Sequence, residues 1–167
     1  MANEKTSSVA VVMGSDSDMP VMQNCIDQLK AFGIEPEVRI ISAHRTPKVA
    51  AQFAQNAADN GIKVIIAAAG MAAHLAGAMA AQTNLPVIGV PMAAKDGVNG
   101  LDALLSTVQM PPGVPVATVA IGKAGAKNAA VLAVQILALA DTDLAQKLVK
   151  FKKQQEKKVI EKDSALH

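Results

Sequence analysis

His44 and Arg45 stand side by side in the run Ser42-Ala43-His44-Arg45-Thr46-Pro47, and the two residue types together can do chemistry. Histidine has the ordinary pKa closest to neutral, so it gives and takes protons readily. Arginine stays charged and presents a planar fork of donors that matches a phosphate or carboxylate. A proton-transfer group beside an anion clamp suits a small acidic substrate. The plain alternative is that Thr46 caps a helix while His44 and Arg45 are merely exposed.

Two further loops carry polar residues. Gly14-Ser15-Asp16-Ser17-Asp18 places a glycine and two hydroxyls before a helix. Free backbone N–H groups and the helix dipole there suit a phosphate. The competing use of Ser17 or Asp18 is simple helix capping. Neither the Gly-Lys-Ser/Thr of a P-loop nor Gly-x-Gly-x-x-Gly is present. Asp16 and Asp18 lack a neighbouring His or third carboxylate, so accepting hydrogen bonds from sugar hydroxyls suits them better than metal ligation. The third loop, Ala69-Gly70-Met71-Ala72-Ala73-His74, holds a histidine in an apolar run, where a core role competes with catalysis.

The elements that must position these loops alternate. Strands are expected at Val9 to Met13, Glu35 to Ile41, Lys63 to Ala68, Pro86 to Val90 and Val114 to Ile121. Helices are expected at Met19 to Phe32, Pro47 to about Asn60 with Thr46 as N-cap, Ala72 to Gln82, Leu101 to Gln109 and Lys127 to Leu139. Strand–helix alternation with mostly apolar strands predicts a parallel sheet covered on both faces, a three-layer α/β/α sandwich. All three loops then leave carboxyl ends of strands, where ligands bind in open α/β sheets, and neighbouring strands bring the third loop near the others.

One catalytic α/β domain is expected over 9–140, after a disordered polar segment 1–8 that has no apolar signal core. A C-terminal helix and tail occupy 141–167. In that helix Leu144, Leu148 and Phe151 make a narrow apolar stripe. Docking on a neighbouring subunit is favoured over packing on its own domain or lying on a membrane surface.

Composition excludes other classes. The 167 residues are 51% hydrophobic and 18% charged, which argues for a globular chain. A net charge of +2, with Lys147, Lys150, Lys152, Lys153, Lys157 and Lys158 clustered in the tail, is too small to argue for nucleic acid. Three Phe and no Tyr or Trp leave no stacking platform for bases. Val64 to Ala81 is apolar except for His74 but Ala-rich and broken by Gly70 and Gly77. It reads as a buried strand-loop-helix and not as the roughly 20 strongly apolar residues of a membrane span. The lone Cys25 reads as a buried core thiol in a reducing compartment.

The three loops, together with Gly77, Gly89-Val90-Pro91, the block Ser106-x-x-Gln109-Met110-Pro111-x-Gly113-Val114-Pro115-Val116 and Asn128-Ala129, follow one order over about Val9 to Leu139. In this the chain resembles the class I N5-carboxyaminoimidazole ribonucleotide mutases, bacterial-type isomerases of de novo purine (IMP) synthesis. The resemblance implies a flavodoxin-like domain, a cytoplasmic homo-octamer, and a C-terminal helix packed on a neighbour. It implies transfer of a carboxylate from an exocyclic nitrogen to ring carbon four of a ribonucleotide, with no cofactor, metal, ATP, nucleic-acid partner or membrane. His44 would be the general acid/base, with Ser15, Asp18 and Arg45 on the substrate. Ser42, Ala43, Gly70 and His74 would line the same pocket.

Two positions depart from the family pattern. Met71 stands where a second glycine is usual, so a narrowed pocket or moved third loop is expected, and Ala76 stands where proline is usual, which is expected to loosen the turn after His74. Three other functions remain open at this point. One is a carboxylase taking free carbon dioxide, another a flavin- or nucleotide-binding module, and the third an assembly subunit disabled by Met71.

Overall fold

Val9–Met13 is an uninterrupted apolar run, and as β1 it is buried throughout. A 3-10 turn (Asp16–Asp18) leads into α1 (Met19–Ala31), whose Met22, Cys25, Ile26 and Leu29 face the core. The rest follow as β2 (Glu37–Ile40), α2 (Pro47–Asn56), β3 (Val64–Gly70), α3 (Leu75–Ala80), β4 (Val87–Met92), α4 (Leu101–Val108), β5 (Ala117–Thr118), α5 (Gly122–Leu137) and α6 (Thr142–Ser164). These elements belong to a computed structural model that describes residues 7–167.

The strands pair in parallel in the order β2-β1-β3-β4-β5, the arrangement of flavodoxin-like sheets. Side chains alternate across the pleat and supply two separate cores. Val9, Val11, Met13, Val64, Ile66 and Ala68 join α1 and α5 on one face. Ala10, Val12, Ile65 and Ala67 join α2 and α3 on the other. The expected three-layer sandwich with a central parallel sheet is therefore present. Cys25 lies in the first core, and burial pushes its thiol up to about 12, so it stays neutral there.

Several element boundaries move, each for a local reason. β5 is two residues long instead of eight: it is an edge strand, and Pro115 has no N–H to give to a ladder. α5 begins at Gly122, five residues before the expected start. A Cβ on Gly125 would run into the Ala120 carbonyl, so this glycine serves close packing inside the helix and is not a loop signal. α3 starts at Leu75, not Ala72, because Met71 to His74 are spent on the third loop. β2 is the other edge strand; it is only partly covered, and Ile40 is exposed.

Of the segment 1–8 expected to be disordered, residues 1–6 lie outside the described residues. The Ser7 hydroxyl accepts the Glu37 N–H at 3.0 Å and donates to the Glu35 carbonyl at 2.7 Å. α6 is capped by the Asp141 carboxylate, which accepts the N–H groups of Asp143 and Leu144, both at 3.0 Å. Its first turns rest on the domain through Leu144, Leu148 and Phe151, the last 5.2 Å from the Phe32 ring. Lys147 also donates to the Phe32 carbonyl at 2.7 Å. Beyond Phe151 every residue of α6 is exposed, Val159 and Ile160 included.

Candidate active site

The carboxyl ends of β1 and β3 are neighbours in the sheet, yet the chain leaves them toward opposite edges. This switch point opens a crevice by topology alone. A cleft of about 360 Å³ occupies it, lined by residues of all three loops singled out in the sequence. Ser15, Asp18, Ser42, Ala43, His44, Arg45, Gly70 and His74 all line it, so every expected site residue is brought to one place.

The first loop is held by its own hydroxyls. Ser15 Oγ accepts the Ser17 N–H at 3.3 Å and the Ser17 hydroxyl at 2.9 Å, and donates to Asp16 Oδ1 at 3.1 Å. Capping therefore falls to Ser15, on the 3-10 turn. Asp18, at the N-cap position of α1, makes no side-chain capping bond and leaves its carboxylate available to the cleft. Burial raises the Asp18 carboxyl above its ordinary 3.8; a hydrogen bond with the Ser15 backbone opposes this, and the Asp16 charge adds to it.

The second loop is a knot centred on Ser42. Its Oγ accepts the Arg45 N–H at 3.1 Å, and its carbonyl accepts the Thr46 N–H at 2.8 Å and the Thr46 hydroxyl at 2.9 Å. The Thr46 Oγ1 in turn accepts the Ser42 N–H at 3.0 Å. Thr46 occupies the N-cap position of α2 as expected, but its side chain caps nothing. The hydroxyl instead closes the loop on the Ser42 backbone. Arg45 reaches across and donates to the Gly14 carbonyl at 3.1 Å, tying the second loop to the end of β1. Its Nε–H also donates to Ser42 Oγ at 3.5 Å, and the guanidinium lines the cleft, where it can meet an anion.

The third loop brings the second histidine. His74 Nδ1 lies 2.7 Å from His44 Nε2, with the rings edge-to-face at 4.8 Å between centroids. As a hydrogen bond this contact needs one of the two nitrogens to carry the hydrogen and the other to accept it. Both rings are exposed to solvent at the mouth, and His74 is no core histidine. Gly70 has no Cβ to meet the Met92 carbonyl, which would lie at 3.3 Å, and this lets β3 end against β4. Met71 adopts φ 55°, a left-handed conformation that costs a non-glycine residue roughly 1–2 kcal/mol. A glycine usual at this position fits that backbone.

Sequence reasoning overlooked Ala94, which lines the cleft from the loop after β4. Its only signal was its place just past the carboxyl end of a strand neighbouring β3. Among the described residues no cluster of three or more His, Cys, Asp or Glu side chains could hold a metal ion.

A family model described as AIR carboxylase matches residues 8–158. The chain is 58% identical over 143 residues to an N5-carboxyaminoimidazole ribonucleotide mutase of Saccharolobus solfataricus, covering 86% of this chain and 89% of that protein. It is 51% identical over 158 residues to the mutase of the same name from Thermotoga maritima, covering 95% and 91%. Among solved structures, PurE of Treponema denticola superposes with a TM-score of 0.85 at 33% identity, covering 95% of this chain and 97% of that one.

Proposed function

The chain belongs to the AIR carboxylase family, and on that premise we propose that it is a mutase converting N5-carboxyaminoimidazole ribonucleotide to its 4-carboxy isomer in purine synthesis. The observation that carries the residue roles is the 2.7 Å contact between His44 and His74 inside a cleft that also presents Arg45 and the Ser15 to Asp18 turn.

The substrate is a carbamate on an exocyclic nitrogen. That nitrogen takes a proton from His44 as the N–C bond breaks, its electron pair staying on nitrogen and carbon dioxide departing. The freed amine feeds electrons into the ring and makes carbon four nucleophilic. Carbon four bonds to carbon dioxide, generating the carboxylate, and its proton returns to His44. Protons and electrons balance within the cleft, so the cycle asks for no oxidant, metal or nucleotide.

His74, in contact with His44 Nε2, holds the His44 ring in place. Arg45 and the first loop bind the phosphate end, and the Asp18 carboxylate accepts from the ribose hydroxyls. Ser42, Ala43 and Gly70 shape the wall. Much of the remaining acceleration comes from confining carbon dioxide beside the ring, a proximity effect.

Residues 9–140 are the catalytic domain, and the working enzyme is a cytoplasmic homo-octamer in which α6 packs on a neighbour. In support, although Leu144, Leu148 and Phe151 pack on their own domain, α6 runs on beyond them and leaves Val159 and Ile160 67% and 57% exposed. No helix of the described residues is long and apolar enough to cross a membrane.

The test is to incubate the purified protein with N5-carboxyaminoimidazole ribonucleotide, without ATP or added metal, and separately with aminoimidazole ribonucleotide plus bicarbonate. Faster formation of the 4-carboxy product from the first substrate is expected. Faster formation from the second would make the chain a carboxylase.

A further inference from the structure

His44 Nε2 and His74 Nδ1 face each other at 2.7 Å, and this is the one side-chain hydrogen bond either ring makes among the described residues. Both rings are exposed and line the cleft, so water and small solutes reach them. Two imidazole nitrogens turned toward one point, open to solvent and pinned by nothing else, suit a borderline-soft divalent ion as ligands. We propose that the pair binds a late first-row divalent ion such as Zn²⁺, and that the bound ion reversibly shuts off proton transfer at His44. The binding site stands on the geometry alone, while its inhibitory effect rests on the mutase reading.

Zinc holds imidazole nitrogens at about 2.0–2.1 Å in tetrahedral geometry, which sets two of them roughly 3.3 Å apart. From 2.7 Å the pair must open by roughly 0.6 Å and tilt until both lone pairs converge. Exposed side chains reorient freely, so this costs little. The hydrogen between the two nitrogens passes through water to the outer nitrogen of the ring that carries it. Each neutral imidazole then offers one lone pair to the ion, waters complete the coordination, and nothing is oxidised or reduced. Among the described residues no third His, Cys, Asp or Glu side chain joins the set. Neither ring has the outer hydrogen bond that stiffens the ligands of a resident metal. Binding is therefore reversible, and the pair is not a permanent metal centre. An imidazole whose lone pair is on the ion cannot accept a proton there, so the ion acts on His44 directly. The third histidine, His167, lies exposed at the end of the chain, and Cys25 is buried, so the pair has no rival offering two ligands.

The experiment titrates Zn²⁺ calorimetrically into wild type, His44→Asn, His74→Ala and His167→Gln in a buffer that does not chelate it, with a metal-free thermal melt of each to check the fold. Wild type and His167→Gln are expected to take up one ion alike. His44→Asn and His74→Ala should each bind it more than about 10-fold more weakly, since even partners outside a metal's own ligands are worth that much. Wild-type affinity kept in either of these two variants overturns the site, as does a wild type that binds no ion. Isomer formation is then followed with and without Zn²⁺, each protein against its own metal-free rate. Wild type should be inhibited and recover on adding EDTA, whereas His74→Ala, which keeps His44, should need several-fold more Zn²⁺. Equal sensitivity of these two overturns the inhibitory role. A wild type that binds the ion but forms no 4-carboxy product in its absence overturns the mutase reading and leaves the site standing.

Discussion

The two touching histidines are not equivalent in the proposed reaction, and replacing them one at a time separates their roles. His44→Asn removes the group that gives and takes the proton. General acid–base help is worth about 10²- to 10⁴-fold, or about 3–5 kcal/mol at the transition state. His74→Ala removes a partner 2.7 Å away but leaves the proton carrier in place. A hydrogen bond of that kind contributes about 0.5–1.5 kcal/mol net, so kcat/KM should fall only about 2- to 12-fold. Both rings are exposed, so neither change strands a buried polar atom, and stability should stay within about 0.5 kcal/mol of wild type. The assay is isomer formation, with the two carboxylated ribonucleotides separated by chromatography, and each variant's thermal melt as control. The double variant should be no worse than His44→Asn, because residues acting as a unit are not additive. A His74→Ala defect as large as that of His44→Asn would refute the assignment of the proton to His44.

Two other positions give sharp expectations. Burial raises the Asp18 carboxyl above 3.8, so its contribution to stability is fully present below that pH and is lost as pH rises through the raised value. Asp18→Asn should therefore melt above wild type near neutral pH, with the gap closing toward pH 3.8, while KM rises; a gap that widens in acid would contradict this. Gly89→Ala puts a methyl against Thr107 and 2.9 Å from Val116 Cγ1, an overpacking that costs about 1–3 kcal/mol in urea denaturation. Thr107→Ser keeps the hydroxyl that donates to the Ala103 carbonyl at 2.7 Å but removes the clashing methyl. The double variant should recover part of the loss, and strict additivity of the two changes would disprove the contact.

The alternation of strand and helix, the two apolar faces of β1 and β3, and the gathering of three loops at one end of the sheet are legible along the chain. Each follows from periodicity within some ten residues, and right-handed parallel connections leave few ways to assemble the pieces. The block from Ser42 to Pro47 is legible for the same reason, since its histidine, arginine and flanking turn lie together in the primary structure.

Folding settled what depends on neighbours in space. His44 and His74 are 30 residues apart, and nothing in either loop foretells that their nitrogens meet at 2.7 Å. Thr46 looks like a helix cap, but its hydroxyl turns to the Ser42 backbone. Nothing along the chain foretells that Gly125 lies against the Ala120 carbonyl, where a Cβ would not fit. Arg45 looks like an anion clamp alone, but it also ties its loop to the Gly14 carbonyl. Apolar burial is non-directional and roughly proportional to area, so a pattern of residue types predicts it well. A hydrogen bond requires a particular atom within about 3 Å at a fitting angle, and which atom arrives there is a property of the assembled chain.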